Sequence, residues 1–378
     1  AIHGRLKAKA GIATKISSMS VPPQNHMQEL INLYYQGEFE TALSRIKATI
    51  ALFSNSVHLF NLEGASNAAL DRYEDAITSY LQALKINPNY SEAHCNMGIA
   101  LHHQGKLDAA IEAYTTALKI KPDDPNALNN IGISLKDKGE MAAAIENFQH
   151  AVKLKPDYAD AYNNLGIALN DKGDLEGAIN CYARAAELEP SKADFHHGLG
   201  RAQQSKGDFT AAMESYKRAI EVRPDQADFY YDLGNAQLSS GQRDLAIDNY
   251  NKAIEIKPDY SLAHHMLASL AGQTTQTAPK EYVLELFENY AARFDYSLLD
   301  QLEYTAPRKL AEIIFANQAD EPLGSVLDLG CGTGLVGAEL KNSCSNLDGI
   351  DLSNAMLEQA RGKGIYDKLE CSDIKEYL

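Results

Sequence analysis

The chain has 378 residues, enough for two or three ordinary domains with buried cores. It carries 35 Lys and Arg against 51 Asp and Glu, a formal charge of −16 at pH 7, which argues against DNA or RNA as a partner of the whole chain, although a local basic patch would escape this argument. No apolar run approaches the roughly 20 residues of a membrane-spanning helix, so we expect no membrane association.

The first residues of the chain are basic, with no acid before Glu29. This composition is typical of an organelle transit peptide. We favour a disordered leader over residues 1–22, or sequence upstream of a start at Met19 or Met27. The basic residues are Arg5, Lys7, Lys9 and Lys15.

A period of 34 residues follows and predicts the architecture of most of the chain. Five positions keep their residue type through five consecutive copies, and weaker copies extend upstream, so we predict seven units over residues 23–260, the first degenerate. The recurring residues are a first glycine (Gly98, Gly132, Gly166, Gly200, Gly234), a second glycine (Gly105, Gly139, Gly173, Gly207, Gly241), an alanine (Ala110, Ala144, Ala178, Ala212, Ala246), an aromatic (Tyr114, Phe148, Tyr182, Tyr216, Tyr250) and a proline (Pro122, Pro156, Pro190, Pro224, Pro258).

These positions resemble the tetratricopeptide repeat, a unit of two packed helices. The resemblance implies an all-α solenoid wound as a right-handed superhelix, in which each unit buries its apolar side against its neighbours. We expect the first glycine to allow close approach of the helices, the second to lie in a turn at positive φ, the aromatic to fill the gap between neighbouring units, and the proline to end the second helix. Asp124 and Pro125 predict an N-cap and a first helical residue.

The first helices of the units are expected to line a groove. Asn96, Asn130 and Asn164 recur at one repeat position, Gly198 interrupts the row, and Asp232 continues it. The units resemble the repeats of O-GlcNAc transferase, in which asparagines bind the backbone of an extended peptide, and this implies a protein or peptide partner. The alternative is that asparagine is simply common at this position.

The histidines and cysteines predict no metal site. Neighbouring residues of a helix point about 100° apart, so adjacent histidines such as His102 and His103 cannot chelate one ion together. The cysteines lack paired metal-binding spacing and are expected to be reduced thiols of a cytoplasmic protein. They are Cys95, Cys181, Cys331, Cys344 and Cys371.

The period ends after residue 260. Residues 261–272 predict an unpaired helix that caps the solenoid, and the polar residues 273–280 predict a linker. Beyond them, residues 281–378 predict helices followed by short strands, an α/β pattern.

A short apolar strand ends in a glycine-rich loop at residues 330–334. Together they resemble motif I of the class I methyltransferases that use S-adenosylmethionine, whose fold is Rossmann-like. The resemblance implies that Gly330, Gly332 and Gly334 let the backbone approach the methionine part of the cofactor. It also implies that Asp328, inside the strand end, orients the loop or faces the ammonium group of the cofactor.

A second strand ends in Asp351, 21 residues after the first glycine of the loop, a spacing that suits one strand–helix–strand unit. An acid at this strand tip is placed to accept both ribose hydroxyls, and Leu352 and Met356 are placed to pack on the adenine. The methyltransferase resemblance implies that Asp373 and Ile374, after a third strand, lie where the adenine amino group is bound.

Residues 332–337 also match the glycine pattern of a dinucleotide-binding loop, with Asp351 as the ribose acid. Two features favour S-adenosylmethionine. Asp328 interrupts the apolar strand, and the Asp-Ile pair after the third strand is expected of methyltransferases and not of the nicotinamide fold. Cys331 is common in such loops and is not interpreted as a nucleophile.

Residues 281–295 resemble the lead-in helix of bacterial repeat-fused methyltransferases, in which Tyr290 and Phe294 would either cover the cofactor or belong to the helix core. We therefore predict an S-adenosylmethionine-dependent methyltransferase with a peptide-binding repeat domain; the alternative is a non-catalytic scaffold with a degenerate methyltransferase domain. The class I sheet has seven strands and only three fit before Leu378. We accordingly assign no catalytic residue, and we expect residues 281–378 to be the N-terminal half of the domain, marginally ordered and inactive by itself.

Overall fold

The computed structural model describes residues 22–273, 278–295, 298–299, 304–316 and 323–377, without the side chains of Glu285, Asn289, Tyr290, Ala292 and Arg293. Most of the predicted leader, the middle of the predicted linker and the side chain of the lid candidate Tyr290 therefore lie outside the described residues. The chain divides into two compact units, one up to Pro224 and one from Asp225, and each is described by itself.

The first unit is a tetratricopeptide-repeat solenoid built of successive helical pairs. Its helices are α1 (Gln24–Tyr35), α2 (Phe39–Ile50), α3 (Val57–Ala68), α4 (Tyr73–Ile86), α5 (Ser91–His103), α6 (Leu107–Ile120), α7 (Pro125–Asp137), α8 (Met141–Leu154), α9 (Ala159–Asp171), α10 (Leu175–Leu188), α11 (Ala193–Lys206) and α12 (Phe209–Val222). Within the described ranges of the chain, no helix combines the length and apolar character that a membrane crossing requires.

The second unit continues with helices and then adds a small sheet. Its elements are α13 (Ala227–Ser239), α14 (Arg243–Ile256), α15 (Ser261–Leu270), α16 (Lys280–Asp295), α17 (Ala306–Ala316), β1 (Leu323–Leu329), α18 (Leu335–Leu340), β2 (Cys344–Asp351), α19 (Asn354–Lys363), β3 (Lys368–Cys371) and α20 (Ile374–Tyr377). Helix, turn and proline alternate through α13 and α14 as they do in the first unit.

Local sequence signals set the helix ends. The turn inside the fourth pair contains Gly139 at φ 85°, as expected for a glycine that ends a helix. At the same repeat position of the second pair, Asp71 takes φ 57° without a glycine. The side chain of Asp124 accepts the N–H of Asn126 at 3.0 Å with Pro125 at the first helical position, which confirms the predicted N-cap.

The recurring aromatic side chain fills a notch in its own unit. A Cβ atom built on Gly132 would lie 2.6 Å from Cε1 of Phe148, so any residue larger than glycine would overlap the ring. We predicted that the aromatic fills the gap between neighbouring units. The ring packs on the first helix of its own pair, and Phe148 also shares one buried cluster with Leu165 and Ala168 of the next pair, which agrees with that prediction. This contact between a glycine of the first helix and the aromatic ring of the second is here called the glycine–aromatic seat. It also occurs for Gly64 with Tyr80, Gly98 with Tyr114, Gly166 with Tyr182, Gly200 with Tyr216 and Gly234 with Tyr250.

At Gly198, where the asparagine row is interrupted, the ring of Tyr182 lies close to the backbone. A Cβ atom built there would lie 2.8 Å from Cε1 of Tyr182, which belongs to the preceding pair. An asparagine at this position would therefore require the Tyr182 ring to shift.

The three strands form a parallel sheet in the order β1-β2-β3. Leu329 pairs with Ile350, and Asp351 pairs with Cys371, so the strands end at nearly the same level. Because the carboxyl ends of parallel strands meet at one edge of a sheet, the loops that follow them come together there.

Candidate functional site

The carboxyl ends of the strands open onto a cavity of about 560 Å³, here called the strand-end cavity. Four parts of the second unit contribute to it: the glycine loop after β1, the tip of β2 with the start of α19, the loop after β3 with the start of α20, and helix α16. Its lining residues are Val283, Phe287, Phe294, Gly330, Gly332, Asp351, Leu352, Met356, Ser372, Asp373, Ile374 and Lys375. Most of the predicted cofactor residues therefore meet in one place.

Asp351 organises the two loops that border this cavity. Its Oδ2 accepts the backbone N–H of Gly332 at 2.8 Å, and its Oδ1 accepts the N–H of Ser353 at 2.9 Å. An ionised carboxylate can accept about four hydrogen bonds. Asp351 can therefore hold both loops and still accept further donors from the cavity.

The glycine loop is folded tightly onto the end of β2. The N–H groups of Gly330 and Cys331 both donate to the carbonyl of Ile350, at 2.8 and 2.9 Å. Gly334 lies outside the lining of the strand-end cavity, and a Cβ atom built on it would come within 2.9 Å of the Tyr366 ring. Its missing side chain thus makes room for that ring, and its role toward the cofactor stays a prediction.

Asp328 faces a neighbouring cavity of about 390 Å³, which it lines together with Phe294, Gly330 and Gly332 of the strand-end cavity. Its Oδ2 accepts the hydroxyl of Tyr366 at 2.6 Å, and burial raises the pKa of its carboxyl above the ordinary value. The fold therefore disfavours the ionised form. The stability associated with Asp328 is greatest below its unfolded-state pKa and falls as pH rises toward the raised value in the folded chain.

Cys331 belongs to the glycine loop and is buried, and this burial raises the pKa of its thiol to about 12. The thiol is therefore neutral near pH 7 and is a poor nucleophile, in agreement with the expectation from the sequence. Cys95, Cys181, Cys344 and Cys371 are free thiols as well. In the described parts of the chain, no group of three or more His, Cys, Asp or Glu side chains could hold a metal ion.

Helix α16 is attached to the borders of the strand-end cavity by polar contacts near its start and middle. Lys280 at its first turn places Nζ 3.0 Å from Oδ2 of Asp373. The backbone N–H of Lys375, together with that contact to Lys280, holds the pKa of Asp373 below its usual value. About two helical turns further along α16, Oε1 of Glu288 accepts the Ser353 hydroxyl at 2.8 Å and the Ala355 N–H at 3.2 Å.

A third attachment lies at the end of α16. Asp295 accepts the hydroxyl of Thr333 in the glycine loop, and its Oδ2 lies 2.6 Å from Nζ of Lys363 at the end of α19. Between these attachments, Phe287 and Phe294 line the cavity with their rings 6.0 Å apart in an edge-to-face arrangement. Helix α16 thus covers the strand-end cavity and is held over it at three points.

Phe294, predicted either to cover the cofactor or to belong to the helix core, lines the strand-end cavity, whereas Val283 and Phe287 were not predicted there. A signal was present: the three share one helical face at spacings of four and seven residues. No sequence signal identified Lys280 or Glu288 as attachments. The other missed lining residues are Ser372 and Lys375.

The predicted groove residues lie on first helices and are half-buried. In the first unit, Nδ2 of Asn96 donates to Oδ1 of Asn61 at 3.1 Å, and Nδ2 of Asn164 donates to Oδ1 of Asn129 at 2.9 Å. A second row of amides, missed from the sequence, therefore supports the first. The remaining members of the predicted row are Asn130, on α7, and Asp232, on α13.

Comparisons with known proteins agree with these two parts of the fold. Residues 326–377 match the family described as methyltransferase domain. Residues 67–105, 100–139, 134–169, 168–207 and 204–241 match a family described as TPR repeat, and residues 227–260 match tetratricopeptide repeat.

A curated relative is methyltransferase-like protein 27 of Homo sapiens, which is 36% identical over 88 residues, or 23% of this chain and 36% of the relative. The chain thus spans about a third of that relative's length. Two solved structures are similar over the helical part: the APC/C hetero-tetramer Cut9-Hcn1 (TM-score 0.53, 20% identity, 68% of this chain and 51% of that chain) and pilF of Pseudomonas aeruginosa (TM-score 0.50, 17% identity, 56% and 97%). At these identities they show the solenoid fold alone.

The structure and the comparisons agree. The structure has helical pairs with glycine–aromatic seats and a glycine loop at the end of β1, and the matched residues cover both of these parts. The chain belongs to the tetratricopeptide-repeat proteins and carries a methyltransferase domain in its C-terminal region.

Proposed function

We propose that the strand-end cavity binds S-adenosylmethionine and that the protein is a methyltransferase whose repeats bind a partner protein. One observation carries this: the glycine loop, Asp351 and the residues after β2 and β3, which are distant in sequence, line a single cavity. Its volume of about 560 Å³ lies in the usual range for small-molecule sites. When bound, the cofactor supplies an electrophilic methyl group to a nucleophile placed in line with it.

The chain's own side chains fit such a ligand. Asp351 has acceptor capacity left for the ribose hydroxyls after bonding Gly332 and Ser353. Leu352 and Met356 offer apolar surface for the adenine, and the missing side chains of the loop glycines let a ligand approach the backbone. We assign Asp373 and Ile374, which line the same cavity, to the adenine edge.

Asp328 is suited to the ammonium end of the cofactor. Its carboxyl is partly buried with a hydroxyl from Tyr366 as hydrogen-bond partner, and burial raises its pKa. A positive group bound in the adjoining cavity would offset the cost of ionising it. The two cavities share Gly330 and Gly332, so one extended ligand could contact both.

The repeats are proposed to hold an extended peptide of a protein partner in the groove formed by the first helices. Amide side chains suit this task because each can both donate to and accept from a peptide backbone. The net charge of −16 favours a protein over a nucleic acid. The free thiols of the chain fit a reducing compartment, and on that ground we propose a cytoplasmic location.

Calorimetry on the full chain tests the cofactor assignment. Titration with S-adenosylmethionine, and separately with S-adenosylhomocysteine, should give saturable heats, because both carry the ribose and adenine that the cavity is proposed to bind. NAD at the same concentration should give none. Saturable NAD binding without binding of either methionine-derived ligand would reject the proposal in favour of a dinucleotide site.

The groove is tested by replacing Asn96, Asn130 and Asn164 together with alanine. Peptides selected from a random library against the unaltered chain should no longer bind, while thermal unfolding followed by circular dichroism should change little. Asn147→Ala is a matched control, since Asn147 lies on the second helix α8 and bonds its own helix at Ala143. Undiminished peptide binding by the triple variant would show that the row is only a feature of packing.

A further inference from the structure

A cavity of about 530 Å³ lies on the groove face at the start of the solenoid, between α1, α3 and the beginning of α5. It is here called the groove-end cavity. Aromatic rings and one carboxylate distinguish it: Tyr34 and Tyr35 come from α1, His58 from α3, and Tyr90 and Glu92 from the start of the third pair. The proposed function gives it no role beyond the amide of Asn96.

The rings of this cavity are available to a ligand. Tyr35 is 81% exposed and meets Tyr34 edge to face, with centroids 5.6 Å apart. Across the cavity, His58 and Tyr90 also meet edge to face at 5.6 Å. Edge-to-face pairs leave ring faces uncovered, and the face of a tyrosine ring attracts cations.

The carboxylate of Glu92 is held in place by neutral groups. Its Oε2 accepts the hydroxyl of Tyr90 at 2.9 Å, and its Oε1 accepts Nδ2 of Asn61 at 3.0 Å. None of the residues that line the cavity is a lysine or an arginine. The negative charge of Glu92 is therefore positioned by hydrogen bonds and has no cationic partner among these neighbours.

In other pairs of the solenoid, the acid at the repeat position of Glu92 pairs with a lysine or arginine of the solenoid itself. Asp160 lies 2.8 Å from Nζ of Lys192, and Asp194 receives two hydrogen bonds from Arg223, at 3.1 and 2.9 Å. The residues that correspond to Lys192 and Arg223 in the case of Glu92 are Asp124 and Lys121. The first is an acid, and the second is paired with that acid, its Nζ lying 3.0 Å from Oδ2 of Asp124. The carboxylate of Glu92 can therefore pair with a positive charge on a bound ligand.

In the second unit, Asp228 also accepts from a tyrosine, the hydroxyl of Tyr260 at 2.6 Å. That tyrosine is buried in the core, so its ring is not presented to a ligand. The combination of a carboxylate held by neutral donors and exposed ring faces therefore distinguishes the groove-end cavity from this site.

We propose that the groove-end cavity binds the side chain of a lysine or arginine in the bound peptide, with Glu92 as its counter-ion and the tyrosine rings against its stem and charge. The inference rests on the proposed peptide binding and specifies the chemistry at one end of the groove. The chain's net charge of −16 also attracts basic segments toward it.

Selection from a random twelve-residue peptide library tests this with the full chain. The unaltered chain should enrich peptides with Lys or Arg at one fixed position, and Glu92→Gln should lose that preference while still selecting peptides. Glutamine keeps the size and hydrogen-bonding ability of Glu92, and the circular dichroism spectrum of the variant should be unchanged. Asp160→Asn is the matched control, because its carboxylate already has Lys192 as a partner, and it should retain the preference.

Fluorescence anisotropy then measures one selected peptide against the same peptide with its basic residue replaced by norleucine. The unaltered chain should bind the norleucine peptide about tenfold more weakly, the size expected for a partly exposed ion pair and ring contact together. Glu92→Gln should bind the two alike. Enrichment of peptides without a fixed basic position, or equal discrimination by both proteins, would overturn this inference alone. Failure to select any peptide would overturn peptide binding and this inference with it.

Discussion

Replacing Phe148 by alanine should lower the free energy of unfolding by about 3–5 kcal/mol. The ring is fully buried and lies over Gly132 in the notch between α7 and α8, so its removal leaves a cavity that the two helices cannot close without moving. Each unit of a solenoid is stabilised by its neighbours, so the loss of the ring should also destabilise the pairs on either side of the fourth. Urea denaturation followed by far-ultraviolet circular dichroism measures it.

Gly132→Ala provides the complementary change. Its new methyl group would lie within 2.6 Å of the ring and should cost about 1–3 kcal/mol by overpacking. Combined with Phe148→Ala, the same methyl group enters space that the ring has left, so the double variant should be more stable than the sum of the two losses predicts. Tyr35→Ala, at an exposed ring, serves as the surface control and should change the free energy of unfolding little. If the losses in the free energy of unfolding caused by Gly132→Ala and Phe148→Ala were strictly additive in the double variant, they would contradict the contact between Gly132 and the Phe148 ring.

Replacing Asp351 by alanine should weaken S-adenosylmethionine binding by about 10- to 100-fold, since a hydrogen bond to a charged group contributes about 1.5–3 kcal/mol. Two effects act together in this variant. The ribose loses its acceptor, and the N–H groups of Gly332 and Ser353 lose the carboxylate that holds the borders of the strand-end cavity. Isothermal titration calorimetry of the purified chain measures the loss.

Asp348→Ala is the matched control for this change. Asp348 lies on the same strand three residues earlier and does not line the strand-end cavity. Its replacement should leave the dissociation constant unchanged. Asp351→Asn should give an intermediate loss, because the amide oxygen can still accept one of the two backbone N–H groups. Equal affinities of Asp351→Ala and the unaltered chain would remove Asp351 from the site.

Much of the fold could be predicted from the sequence because its signals are local. The 34-residue period, the glycine at 139 and the Asp124–Pro125 pair concern the conformation of a few neighbouring residues, and the helices and turns form where these patterns place them. The place of Asp351 at the strand-end cavity was predictable for the same reason: an acid directly after an apolar strand marks a strand tip.

Long-range partners were decided only by the tertiary structure. No local pattern indicates that Glu288 reaches Ser353 across 65 positions of the chain, or that the ring of Tyr182 lies next to the backbone of Gly198 in the following pair. Such contacts depend on the distance and angle at which packed elements meet, which neighbouring residues do not encode. The same holds for the charge of Glu92. The sequence by itself places an acid at a repeat position, whereas packing decides which carboxylate meets an internal cation and which is held by tyrosine and asparagine.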